Sequence, residues 1–167
     1  MQNQRQEIFA NGKLGLLALA AVALAVAAPA IGAAQHPKSG EVLPHMDAAV
    51  AYLNAARVQL QDAEPVFSGH REKAMQHVDA AVKDLEQGIN TYLAAHPNAA
   101  RNQITPEPPP AEGAQFPRMT GALRLLRQAE AQLNEATPQY NGRRVEGLAE
   151  TRAAIAEIQT GLKEAHK

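Results

Sequence analysis

Two short stretches decide how this chain folds: EPVFSGHREKAMQ at Glu64–Gln76 and TPQYNGRRVEGLA at Thr137–Ala149. Both place a proline, an aromatic residue, a glycine and an arginine in the same order. Pro65, Phe67, Gly69 and Arg71 are answered by Pro138, Tyr140, Gly142 and Arg144 at a constant offset of 73 residues. The offset holds without a gap on both sides. Upstream, Met46, Leu53, Ala56 and Leu60 match Met119, Leu126, Ala129 and Leu133; downstream, Ala81, Leu85 and Gly88 match Ala154, Ile158 and Gly161. Register kept over that length indicates an internal duplication.

Within each half the apolar residues step by three and four. Met46, Ala49, Leu53, Ala56, Leu60, Ala63 and Phe67 form one such row, and Met75, Val78, Val82, Leu85, Ile89 and Tyr92 form the next. That spacing keeps one helix face against a partner. Pro65 cannot sit inside a continuing helix without losing a hydrogen bond and clashing with the preceding turn. Gly69 supplies the reversal, with Ser68, or Asn141 in the second half, as the candidate helix cap. Each half therefore reads as an antiparallel helical hairpin. One hairpin alone leaves its apolar face in water, so the expected fold is all-α: an antiparallel four-helix bundle made of two duplicated hairpins. Pairing of each hairpin with one from another molecule is the alternative. Small residues recur at heptad spacing along the second helix of each half (Ala74, Ala81, Gly88; Gly147, Ala154, Gly161) and predict close helix approach there.

The flanking segments complete the plan. The uncharged run from Leu14 to Ala34 follows Arg5 and Lys13 and ends in small residues, the pattern of a secretory signal peptide over 1–34. A retained membrane anchor is the alternative that its length admits. Residues 35–43 read as a flexible N-terminal segment, 44–96 as hairpin 1, 97–117 as a Pro-rich linker and 118–167 as hairpin 2, the two hairpins forming one domain. Pro97, Pro106, Pro108, Pro109, Pro110 and Pro117 exclude regular helix from the linker and favour an extended path.

Composition narrows the chemistry. Taking Arg5, Lys13 and Glu7 from the 16 basic and 17 acidic side chains of the 167-residue chain leaves 14 and 16, a formal charge of −2. That balance is no nucleic-acid footprint, and six Phe and Tyr residues with no Trp offer few stacking platforms. The absence of Cys excludes disulfide staples, thiolate metal sites and a Cys-linked lipid anchor. The two serines, Ser39 and Ser68, fall in a leader and a turn, and no phosphate-binding glycine loop occurs, so no enzyme activity is expected.

The six histidines are the sharpest candidates, because imidazole is the usual ligand for Cu, Ni and Zn where thiolates are missing. His70 and His77 lie one heptad apart on what reads as an outward stripe above Asp84, roughly 10 Å apart at ~1.5 Å rise per residue. His45 and His36 complete the candidate metal set, with His96 a further contributor. Signal cleavage after Ala33 would also create an Ala34-Gln35-His36 terminus able to wrap Cu(II) or Ni(II). The second half repeats none of these histidines: Arg118, Arg143 and Glu150 stand where His45, His70 and His77 would recur.

The segments HMDAAV (His45–Val50) and GHREKAMQHVDAAVKDLEQG (Gly69–Gly88) resemble the repeated helical units of the small metal-binding protein family, exported His-rich helical bundles. The resemblance covers about forty residues of the first hairpin and implies divalent Cu, Ni or Zn as ligands, carried by His45, His70 and His77. It departs from the family where Ala, Gln, Asp or Arg replaces most outer-face histidines.

The expected function is that of an exported, periplasmic or secreted, noncatalytic bundle acting as a binding or scaffold module in the cell envelope. It would carry no cofactor, and its partner would be an envelope protein or a second copy of itself. Nucleic acid is not expected as a partner, nor a membrane once the signal is removed. Weak divalent-metal binding through the surface histidines is the alternative.

Overall fold

The computed structural model describes residues 43–107, 114–137 and 140–167. The expected signal peptide, the segment up to residue 42 with His36, and Pro108, Pro109, Pro110 and Pro138 lie outside the described residues. Four helices follow in order: α1 (Pro44–Gln61), α2 (His70–Ala95), α3 (Pro117–Glu135) and α4 (Arg143–Ala165). They form an all-α, antiparallel four-helix bundle.

The helices start in two ways, and the duplication is visible in both. α1 and α3 open on Pro44 and Pro117, where a fixed φ suits the first turn and the missing N–H would have had no intrahelical partner. α2 and α4 each follow two residues in the left-handed region, Ser68 and Gly69 at φ 49° and 82°, Asn141 and Gly142 at φ 49° and 80°. The cap expected from Ser68 and Asn141 is not made. The glycines occupy the cap positions and neither helix has a side-chain cap bond. The reversal is achieved by backbone conformation, with His70 N–H donating to Phe67 C=O at 2.8 Å and Arg143 N–H to Tyr140 C=O at 2.9 Å. Arg71 and Arg144 secure the turns by donating to the carbonyls of Ala63 (2.7 Å) and Leu133 (2.8 Å), at the end of the preceding helix.

α1 packs most extensively on α3 and α2 on α4, while the helices within each hairpin touch less. The broad interfaces therefore join one repeat to the other. Every large seam residue of α1 is buried, as are Ala49, Ala56 and Ala63 between them. In α2 the buried face is rotated from the expected row. Val78, Leu85, Ile89 and Tyr92 are inside, Met75 and Val82 are only partly covered, and Ala74, Ala81 and Gly88 are fully enclosed. The small residues are where α4 approaches. A Cβ on Gly88 would lie 2.9 Å from Arg143 Cβ, and one on Gly161 would lie 3.0 Å from His70 Cβ. These are equivalent contacts with the repeats exchanged. The hairpins thus pack head to tail about a pseudo-two-fold axis, each turn against the far end of the other hairpin.

Aromatic residues close both ends. Phe67 meets Phe116 edge-on at 5.1 Å, and Phe116 meets His166 at 5.4 Å. At the opposite end Tyr140 lies 5.3 Å from Tyr92, on which His96 stacks at 4.0 Å. Head-to-tail packing also puts the end of α2 and the start of α3 at opposite ends of the bundle, so the Pro-rich linker has to travel its length. Residues 101–107 alternate between exposed and partly covered, as an extended segment lying on a surface does.

Candidate functional site along the helix seams

The polar side chains of α2 and α4 meet as a ladder beside the small-residue contact. His70 Nδ1 donates to Glu157 Oε2 at 2.6 Å, His77 Nδ1 to Glu150 Oε2 at 2.7 Å, and Arg143 Nη1 to Asp84 Oδ1 at 3.0 Å. The outward stripe expected for His70, His77 and Asp84 is thus the rim of an interhelical seam. The reason is that α2 turns its small residues, and not Met75, toward α4. His70 is also the most enclosed of the three nitrogen donors, with its side chain 15% exposed, and its Nε2 lies 3.4 Å from Glu164.

The hydrogen bond from His70 is the foremost cause that holds the Glu157 carboxyl below its usual range, with the charges of Lys73, His70 and His77 acting in the same direction.

The rungs obey the pseudo-two-fold. Exchanging the repeats turns His70–Glu157 into Arg143–Asp84, an imidazole and a guanidinium doing the same structural work. The α1–α3 seam repeats this logic. His45 Nδ1 lies 3.0 Å from Gln132 Oε1 and 3.4 Å from Glu135, while Arg118 reaches Gln59 at 3.4 Å and Asp62 at 3.9 Å. Within the hairpins the equivalent pairs have reversed sign, Arg57–Asp79 in the first and Glu130–Arg152 in the second.

His45 therefore sits at the end of the bundle opposite His70, and His77 is a heptad from His70 with its own acid. His36 lies outside the described residues, and His96 is engaged with Tyr92, whose carbonyl accepts from its Nδ1 at 2.9 Å. Among the described residues no group of three or more His, Asp and Glu is placed to hold one metal ion. Glu157 and Glu164 approach different ring nitrogens of His70, so the three do not converge on one point; each of the two histidine rungs offers a two-donor set.

A second polar centre escaped the sequence reading. Asp47, only 3% exposed on the apolar face of α1, accepts from Arg101 Nε at 2.5 Å and from the Asn102 N–H at 2.5 Å. Arg101 also grips Glu86 of α2 through both terminal nitrogens, at 2.7 and 3.2 Å. The Glu86 hydrogen bond foremost, then the nearby charges, raise the Arg101 guanidinium above its ordinary value against the opposing effect of burial. The clamp ties the linker to the first turn of α1 and to α2. Its one signal in the sequence was an aspartate amid Met46, Ala49 and Val50 on a face that should be apolar. Its partner lies 54 residues away in a Pro-rich segment, beyond any periodicity.

Compared with protein-family models, with curated proteins and with solved structures, the chain matches none. No described helix is long and apolar enough to cross a membrane.

Proposed function

We propose that this chain is an exported, noncatalytic four-helix bundle that serves as a binding or scaffold module in the cell envelope, presenting its Pro-rich strap and helix surfaces to a protein partner. The observation that carries the reading is the Asp47–Arg101–Glu86 clamp. It fixes the start of the strap to two helices and leaves Gln103, Thr105 and Glu107 outward on an extended, pre-ordered segment. Pre-ordering lowers the entropy cost of recognising such a segment.

Site-specific photo-crosslinking from positions 103 and 105 in the native envelope tests it. A discrete crosslinked species is expected that weakens when Arg101→Ala frees the strap but leaves helicity intact. Recovery of uncrosslinked monomer from both positions overturns the reading.

Weak divalent-metal binding is the second reading, favoured by the carboxylate within 2.7 Å of Nδ1 on both His70 and His77. Titration of the mature chain with Cu(II), Ni(II) and Zn(II) should then show binding that a His70→Ala, His77→Ala variant loses.

A further inference from the structure

The two hairpins share an ancestor, so each could in principle pair with a copy of itself using the same seam. We propose that two features of the α2–α4 seam make hairpin 1 fit hairpin 2 and disfavour like-with-like pairs, the His77–Glu150 rung rejecting a pair of second hairpins and the Leu85–Gly147 contact rejecting a pair of first hairpins.

The first feature follows from symmetry. Glu150 is the residue that stands in the second repeat where His77 stands in the first, so their rung lies on the pseudo-two-fold axis and pairs a position with its own equivalent. In any like-with-like assembly that rung becomes His77 against a second His77, or Glu150 against a second Glu150. The outer rungs do not discriminate: a hairpin 1 pair would set His70 against Asp84, and a hairpin 2 pair would set Arg143 against Glu157, a nitrogen donor facing a carboxylate in both cases. Only the axial rung distinguishes the partners: two Glu150 carboxylates at that spacing repel, whereas two His77 rings merely lose the carboxylate that accepts from Nδ1.

The second feature is steric. Gly88 and Gly161 are equivalent, and each admits the turn of the other hairpin, so they favour neither arrangement. Gly147 differs, because Ala74 is its equivalent. A Cβ on Gly147 would fall 2.5 Å from Leu85 Cδ2 and 2.7 Å from Leu85 Cγ. In a hairpin 1 pair, Leu85 would meet that Cβ on Ala74. In the bundle, the same symmetry places Ala74 opposite Ile158 instead. Both Ala74 and Leu85 are fully buried, so little free space remains to absorb the overlap.

Substitutions in the full chain can install the two disfavoured contacts inside the native bundle, read out as the unfolding equilibrium constant from urea titration at pH 7.5 and low salt. His77→Glu places two carboxylates on the axis and is expected to raise that constant about fivefold. The double variant H77E/E150H exchanges the partners across the axis and is expected to return within about twofold of the wild type. Gly147→Ala is expected to raise the constant about tenfold, although helix propensity alone predicts the opposite sign. Leu85→Val in the Gly147→Ala background should recover part of that loss. The proposal is overturned if Gly147→Ala is neutral or stabilising, or if H77E/E150H is no closer to wild type than H77E.

Discussion

Asp47 illustrates what one residue can decide. A carboxylate this deep is tolerated because a guanidinium and a backbone N–H meet its two oxygens. Removing the cation leaves the charge enclosed with half its partners. Arg101→Met should therefore destabilise the bundle by about 2 kcal/mol, below the range for fully buried pairs because Arg101 is itself partly exposed. Asp47→Asn should cost less, since it removes the charge along with its partner's need; urea titrations of both variants check the order. Glu157 makes a pH prediction with a definite sign. Its folded-state pKa is depressed, so the stability it contributes is present above the ordinary carboxylate value of about 4.3 and is lost as pH falls through the folded value. The stability gap between wild type and Glu157→Gln should thus be open at pH 6 and close progressively as the buffer is taken below pH 4.

At the scale of elements, the turns and the glycine contacts bear on each other. Ser68 holds φ 49° without the local amide chemistry that lets Asn occupy that region, whereas Asn141 stands at the same place in the second turn. Ser68→Asn should stabilise the chain by about 0.5 kcal/mol, seen as a small rise in the thermal midpoint. Gly88→Ala has the opposite expectation. Its Cβ would press on Arg143 Cβ and Tyr140 Cβ, an overpacking cost of about 1–3 kcal/mol that exceeds the ~1 kcal/mol gained in helix propensity. The helices themselves, their turns and the small-residue stripe were legible because periodicity, proline and glycine act locally. The rotation of α2 that buries Ala74 and leaves Met75 half covered was not, since it depends on which neighbour wins the larger contact.

At the scale of the whole molecule, the hairpins are joined more by their packing than by their covalent link, because the broad interfaces run between repeats. A protease site inserted between Glu107 and Ala114, once cut, should leave the two fragments eluting together as one body in native buffer and separating only in denaturant.

The sequence by itself determined the all-α class, the repeat, the hairpin turns and the apolar interior, since each is encoded in residues close along the chain or repeated at a fixed offset. Only the tertiary structure decided that the hairpins lie head to tail. With that came the histidine rungs opposite Glu157 and Glu150 and the clamp of Arg101 on Asp47. Such pairings join residues 54 to 87 positions apart, and their choice among many available charges is made by backbone approach at glycine and alanine, which no one-dimensional pattern records.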